Sequence, residues 1–245
     1  MLRKLFNQLI VFFRLHPKRL LTLLYLPVYL LCFELIEWHI PGAPHRIHTP
    51  LDDYIPFVEI FVIPYILWFF YLFYAFFNLY KSEDPVPFYR LCGSCFLAMT
   101  IFIIVSVIYP NYHDLKNDVI TRDNIFTSML SVLYSIDPAN NLLPSIHVCA
   151  TIAAHWSLRS SEAFDRRPFA RHVSFILSVL IVLATMFIKQ HSTLDVALAF
   201  ILMALEYPFF FGQLSTKTLR TLFRYDSQLL DCTEPESSGS VRRHP

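Results

Sequence analysis

Apolar residues fall in this chain into long continuous blocks parted by short polar breaks, and the lengths of those blocks set the expected elements. Leu20 to about Ile36, Ile55 to Leu79, Phe88 to Ile108, His172 to Ile188 and Leu194 to Phe211 are each near the ~20 residues that a bilayer-crossing helix needs. A further block, Pro144 to about Leu158, is short by hydropathy alone, and with it the count is six. The pattern predicts an all-α fold: a polytopic membrane protein whose six transmembrane helices pack in a bundle. Residues 20–212 form that membrane domain. Residues 1–19, with Leu2, Leu5, Phe6, Leu9, Ile10, Phe12 and Phe13 among Arg3, Lys4 and Arg14, read as an interfacial amphipathic segment. Residues 213–245, ending in a Glu, Ser and Pro-rich stretch, read as a partly disordered tail.

The breaks between blocks are uneven. Residues 111–143 form the longest internal polar segment, carrying His113, Asp114, Lys116, Asp118, Arg122, Asp123 and Asp137, and long loops are where function concentrates. The block after Leu20 is long for a signal h-region and lacks a small-residue cleavage site, so it reads as an uncleaved first span. In the second span, Trp68, Phe69, Phe70, Tyr71, Phe73, Tyr74, Phe76 and Phe77 read as packing and lipid-facing surface.

Composition agrees with the pattern. A chain of 245 residues that is 55% hydrophobic, with 24 Phe, has too little polar surface to coat a soluble globule. The formal net charge of +1 hides an asymmetry. Placing the amino terminus, the Lys81 turn, the Arg159–Arg171 loop and the tail on one side gathers 16 of the 20 Lys and Arg residues, leaving Arg46, Lys116, Arg122 and Lys189 opposite. The basic side is cytoplasmic by the positive-inside rule, so both termini are cytoplasmic and the 111–143 segment faces out. The expected location is the cell membrane, as a multi-pass protein. No basic groove interleaved with stacking aromatics appears, so nucleic acid is not an expected partner. The cysteines lie mostly inside apolar blocks, and Cys92-Gly93-Ser94-Cys95 reads as small packing residues, since no second pair follows.

Candidate chemistry sits in two short polar motifs on the outward side. Lys189-Gln190-His191-Ser192-Thr193-Leu194-Asp195 is a charged island between two spans, and residues four apart on a helix stack, so His191 and Asp195 are expected to meet. Pro144-Ser145-Ile146-His147 opens another span, with Pro tolerated in a first turn and Ser near the exposed backbone donors. Ionisable groups at the rim of a membrane segment are expensive and read as functional. Two histidines, a carboxylate and a few cations, without a Cys cluster or carboxylate-rich metal box, suit nucleophilic and acid–base work better than metal catalysis. Phosphoryl transfer fits best: His191, oriented by Asp195, attacks phosphorus, His147 protonates the leaving alkoxide, Ser145 bonds the phosphoryl group, and the helix amino end offers positive potential.

These residues carry a resemblance. Pro144-Ser-Ile-His147 followed by His191-Ser-Thr-Leu-Asp195 resembles the second and third signatures of the type II phosphatidic acid phosphatase superfamily, usually Pro-Ser-Gly-His and His-x-x-x-Asp, over spans three to six. The resemblance implies a six-span bundle, a transient phosphohistidine on His191, His147 as general acid with Asp195 as its partner's orienting group, and no metal or other cofactor. Sphingomyelin and inositol phosphorylceramide synthases share the two His and the Asp. The chain departs from the pattern in two places: the first signature, Lys, a gap, then Arg-Pro, is replaced by Tyr109-Pro-Asn-Tyr-His-Asp-Leu-Lys116-Asn117, and Ala184-Thr185 stands for the usual Ser-Arg. Lys116, Lys189 and Arg122 are then the candidate phosphate-binding cations. The expected function is hydrolysis of a lipid phosphate ester on the extracytoplasmic face, with membrane lipids as surroundings and the lipid phosphate as the partner molecule. A lipid phosphotransferase that hands the headgroup to a lipid alcohol, and a catalytically inactive binding or transport relative, remain open alternatives.

Overall fold

The computed structural model describes residues 17–39, 44–117, 119–137 and 140–212, with residues 218 and 221. Residues 1–16 of the expected amphipathic segment, Asp118 and nearly all of the expected tail lie outside the described residues. In chain order the elements are α1 (Pro17–Thr22), α2 (Tyr25–His39), β1 (His45–Arg46), α3 (Pro50–Tyr54), a 3-10 turn (Glu59–Phe61), α4 (Val62–Tyr80), α5 (Val86–Ile108), β2 (Asn111–Tyr112), α6 (Ile125–Ile136), α7 (Ile146–Arg159), α8 (Glu162–Asp165), α9 (Pro168–Phe187) and α10 (Thr193–Phe210). The protein is mostly helical, and five stretches, Arg19–His39, Glu59–Tyr80, Val86–Ile108, Pro168–Phe187 and Thr193–Phe210, are long and apolar enough to cross a membrane. Large apolar side chains cover the outside of these helices, Phe70 at 67% and Phe73 at 71% exposure among them, as a lipid-facing surface requires and an aqueous one does not.

The short block from Pro144 becomes the centre of the bundle. Its helix, α7, has 14 residues, about 21 Å at the usual rise against ~30 Å of hydrocarbon. It packs against α4, α5, α9 and α10. Cys149, Ala150, Ala153, Ala154 and Ser157 are buried on it, and such small side chains let neighbouring helices approach closely. The low hydropathy that made this block look marginal follows from that role, because small residues score low while making the closest contacts. Gly93 of α5 serves the same end: a Cβ there would stand 2.4 Å from the Phe210 ring. The first span lies outermost, with Tyr25 stacked on Phe96 at 4.2 Å and its hydroxyl donating to the Phe96 carbonyl at 3.1 Å.

The segment 111–143 is not a uniformly polar loop. Its middle forms α6, whose amino end is capped by Asn124, which accepts from Phe126 N–H at 2.9 Å and Thr127 N–H at 3.1 Å. Leu130 and Thr127 face inward. The charged residues that marked the segment as polar flank the helix and hid its apolar stripe. Three loops are then sewn together on this side. His45 and Arg46 pair in parallel with Asn111 and Tyr112, Tyr112 bridges Asn140, and Asn111 accepts from Leu142 N–H through Oδ1 at 2.8 Å. This two-residue pair is the only two-stranded ladder among the described residues.

Candidate active site

The turn from α9 to α10 is determined several times over. Thr185 carbonyl accepts from both Gln190 N–H and His191 N–H at 2.9 Å, closing the end of α9. Lys189 takes φ 54°, a left-handed conformation unfavourable for a side-chain-bearing residue. It is held there by its ammonium, which donates to the Asp52 carbonyl at 2.8 Å and the Ile55 carbonyl at 2.6 Å. Ser192 then caps α10, and Asp195, three residues on, reaches back to Ser192 N–H at 2.9 Å. The same Asp195 oxygen lies 3.1 Å from His191 Nδ1. His191 therefore meets Asp195 as expected, though not by stacking within a helix: His191 precedes the cap, and the capping geometry brings the carboxylate back to it. Asp195 is fully buried and His191 is 6% exposed.

His147 comes to the same point from α7. The helix begins at Ile146 with Ser145 as its cap, so Pro144 lies just outside it. Ser145 Oγ accepts from Val148 N–H at 3.4 Å, and Ser145 N–H donates to the Asp195 carbonyl at 3.2 Å, which ties the two motifs together through the backbone. His147 Nδ1 lies 3.2 Å from His191 Nε2. Its other nitrogen, Nε2, is 2.9 Å from the hydroxyl of Tyr65, which donates to Asp137 Oδ2 at 2.9 Å. The Trp68 ring packs on the His147 imidazole, with centroids 4.4 Å apart. Gln190 Nε2 donates to Asp137 Oδ2 at 2.6 Å, and Gln190 carbonyl accepts from His113 Nε2–H at 2.9 Å, with Leu115 N–H donating to the other His113 nitrogen. Among the described residues, no group of three or more His, Cys, Asp and Glu side chains is arranged to hold a metal ion.

The three expected cations part company. Lys116 stands beside the histidines, donating to the Asp137 carbonyl at 2.7 Å with its ammonium 4.9 Å from the Tyr134 ring centre. Burial pushes its pKa down to about 8 against the opposing pull of Asp137. Lys189 points away, into the carbonyls that hold its own turn; burial lowers its pKa, with Asp52 and Asp53 opposing. Arg122 is on an exposed rim with Glu59, 3.4 Å away, and is not among the contacts of the two histidines. Burial pushes His191 down to about 4 and also lowers His113, so both imidazoles are neutral near pH 7. Asp52 behaves oppositely. Burial raises it, but Thr193 N–H, Ser192 hydroxyl and Thr49 N–H together outweigh that and hold it below the ordinary carboxylate value.

Tyr65, Asp137, Gln190, His113 and Asp52 complete the site and were not among the expected site residues. Asp137 and His113 carried a signal, as polar residues of the segment between the two halves of the site. Tyr65 carried none, being one aromatic in an aromatic-rich span. Comparison with known proteins finds no matching family model, no matching curated protein and no matching solved structure.

Proposed function

We propose that this chain is a membrane-embedded phosphatase that hydrolyses a lipid phosphate ester through a phosphohistidine on His191, in the manner of the type II phosphatidic acid phosphatases. The observation that carries the reading is the line Asp195–His191–His147: Asp195 anchors one His191 nitrogen at 3.1 Å and leaves the other facing His147 at 3.2 Å. A neutral imidazole anchored at Nδ1 presents a lone pair at Nε2, which is what a nucleophile needs, and a second imidazole beside it is positioned to serve the leaving group. Lys116 supplies the charge that developing phosphoryl oxygens require, and the amino end of α7 adds unsatisfied backbone donors. Hydrolysis is preferred over transfer because water is abundant at this face. In this reading α7 is the fourth of six spans, both termini are cytoplasmic, and the site opens on the extracytoplasmic side.

The test is phosphate release by purified protein in detergent from a panel of phosphorylated lipids, with and without chelator, together with acid-quench trapping of a phosphoenzyme. Release that persists with chelator and a phosphoenzyme absent from His191→Ala are the expected results. Unaltered release by His191→Ala would remove the mechanism. For orientation, single cysteines at Thr121 and Arg166 are labelled in intact cells with an impermeant reagent: Thr121→Cys is expected to react and Arg166→Cys is not, and the reverse pattern would put the site on the cytoplasmic side.

A further inference from the structure

The hydrogen-bonded line through the site runs further than the proposed chemistry uses: Asp137, Tyr65, His147, His191 and Asp195 are joined by four contacts of 2.9, 2.9, 3.2 and 3.1 Å. Each contact needs one proton between its two atoms. A neutral Tyr65 and two neutral histidines supply one each, and two carboxylates supply none, which makes three protons for four bonds. With three, some pair of lone pairs along the line must face each other, a costly arrangement among side chains as buried as Tyr65, His191 and Asp195. We infer that the line Asp137–Tyr65–His147–His191–Asp195 carries a fourth proton at rest, held on the Asp137–Tyr65–His147 branch and delivered through His147 Nδ1 to the leaving group, so that Tyr65 and Asp137 are the proton supply of the general acid.

Geometry places the branch. Asp195 Oδ2 accepts from Ser192 N–H at 2.9 Å in the capping box at the amino end of α10, where the helix dipole favours a carboxylate over a neutral carboxyl, so His191 donates through Nδ1 and its Nε2 accepts. The bond between the histidines then runs from His147 Nδ1–H to His191 Nε2. At the far end Asp137 Oδ2 accepts from Gln190 at 2.6 Å, which anchors the branch to the turn that also carries His191. Lys116, His113, Tyr134 and Asp52 are ionisable groups that face this line.

The count closes over a turnover, and this part rests on the reading of the site as a phosphatase. His191 Nε2 attacks phosphorus, the ester P–O bond breaks, and the departing oxygen takes the proton from His147 Nδ1. The phosphoenzyme has lost the bond between the histidines, leaving three bonds and three protons. His147 Nδ1 is now bare and takes a proton from water as that water attacks phosphorus. The P–N bond breaks, phosphate leaves with the water's oxygen, and the line again holds four protons for four bonds. Tyr65 and Asp137 touch neither phosphate nor leaving group; they act through His147.

Two measurements test the inference. In protein labelled with 15N-histidine at neutral pH, a proton is expected on His147 Nδ1, accompanied either by a second on Nε2 or by a protonated carboxyl infrared band that Asp137→Asn abolishes. A bare His147 Nδ1, or Nδ1–H with neither companion, would overturn the proposal whether or not the protein proves to be a phosphatase. The second measurement compares substrates. Tyr65→Phe and Asp137→Asn are each expected to lower turnover of alkyl phosphates about a hundredfold more than turnover of a nitrophenyl phosphate, whose leaving group needs no proton. Equal losses on both substrates in folded variants would reduce Tyr65 and Asp137 to structural supports. Wild-type protein that releases phosphate from no ester would sink the phosphatase reading, and the spectroscopic result would still decide the proton count.

Discussion

Two helices begin within a single backbone hydrogen bond of each other, and they treat their amino ends in opposite ways. Ser145, the cap of α7, donates its N–H to the carbonyl of Asp195 in the first turn of α10. The amino end of α10 is closed by the protein's own charge. Asp52 Oδ1 accepts from Thr193 N–H at 2.7 Å, its other oxygen accepts from the Ser192 hydroxyl at 2.7 Å, and Asp195 covers Ser192 N–H. The amino end of α7 has no acidic residue in its first turn, and Ser145 alone caps it, at 3.4 Å. Both ends carry the same partial positive charge. One is neutralised internally and becomes a rigid mount for His191, while the other has no acidic residue of its own and, in the proposed function, is where the phosphate binds. The lysines follow suit: Lys189 locks the closed end, and Lys116 stands by the open one.

The largest effect that would sharpen this contrast is on rate. Lys116→Ala is expected to lower phosphate release about a hundred- to a thousandfold, the usual cost of removing one charge stabiliser, with the melting midpoint lowered less than by Lys189→Ala, since Lys116 satisfies one protein carbonyl and Lys189 two. Lys189→Ala should do the reverse, because its ammonium satisfies two carbonyls of the protein itself. Near-normal turnover in Lys116→Ala would mean that the two lysines had been assigned to the wrong ends.

Next in size is the closed end itself. Asp52 is 2% exposed and holds three donors, so Asp52→Ala leaves Thr193 N–H, Thr49 N–H and the Ser192 hydroxyl without their acceptor. Hydrogen bonds to a charged group contribute more than neutral ones, and the summed loss should be about 3 kcal/mol, read as a lowered midpoint of thermal unfolding in detergent. A loss below ~1 kcal/mol would show that the amino end of α10 does not depend on that carboxylate.

How much of this contrast was legible in the sequence depends on distance along the chain. His191 and Asp195 were readable because the contact spans four residues, even though capping rather than helical stacking makes it. The helix at Ile125–Ile136 was not, since Asp123 and Asp137 on its flanks gave the whole segment a polar average. Ser145 was legible as a cap. Lys189 was placed among the phosphate ligands because proximity to His191 in sequence says nothing of direction, and its left-handed backbone turns the side chain toward Asp52 and Ile55. Tyr65 reaches His147 across 82 residues and Asp137 across 72, so nothing local could mark it. The charge asymmetry of the loops, by contrast, is a property of the chain alone and needed no contact to be seen.

A smaller effect comes from pH. The pKa of Lys116 is lowered by burial from its ordinary value to about 8, so as pH rises through about 8 the folded protein gives up the proton that an anion at the open end needs. Phosphate release should therefore fall by up to about tenfold per pH unit above that point. Stability should move the other way. Between about 8 and the ordinary lysine value the unfolded chain binds the proton and the folded one does not, so this group makes unfolding costlier as pH rises. Measuring both on the same preparation separates the two: activity and midpoint falling together above pH 8 would point to alkaline unfolding rather than to Lys116.

The smallest effect tests whether the open end of α7 is held by its cap or used through it. Ser145 is fully buried, and its hydroxyl accepts from Val148 N–H at a long 3.4 Å. If the hydroxyl is only a cap, Ser145→Ala should cost about 1 kcal/mol of stability and leave turnover within the same order of magnitude. A hydroxyl that also donated to phosphate would contribute a hydrogen bond to a charged group, about 1.5–3 kcal/mol, and its loss would lower turnover by about tenfold or more. Complete burial favours the first outcome, since a phosphate reaching Ser145 Oγ would have to displace atoms already packed on it. A tenfold loss of turnover in a Ser145→Ala protein with an unchanged midpoint would show instead that the open end is read by its side chain as well as by its backbone.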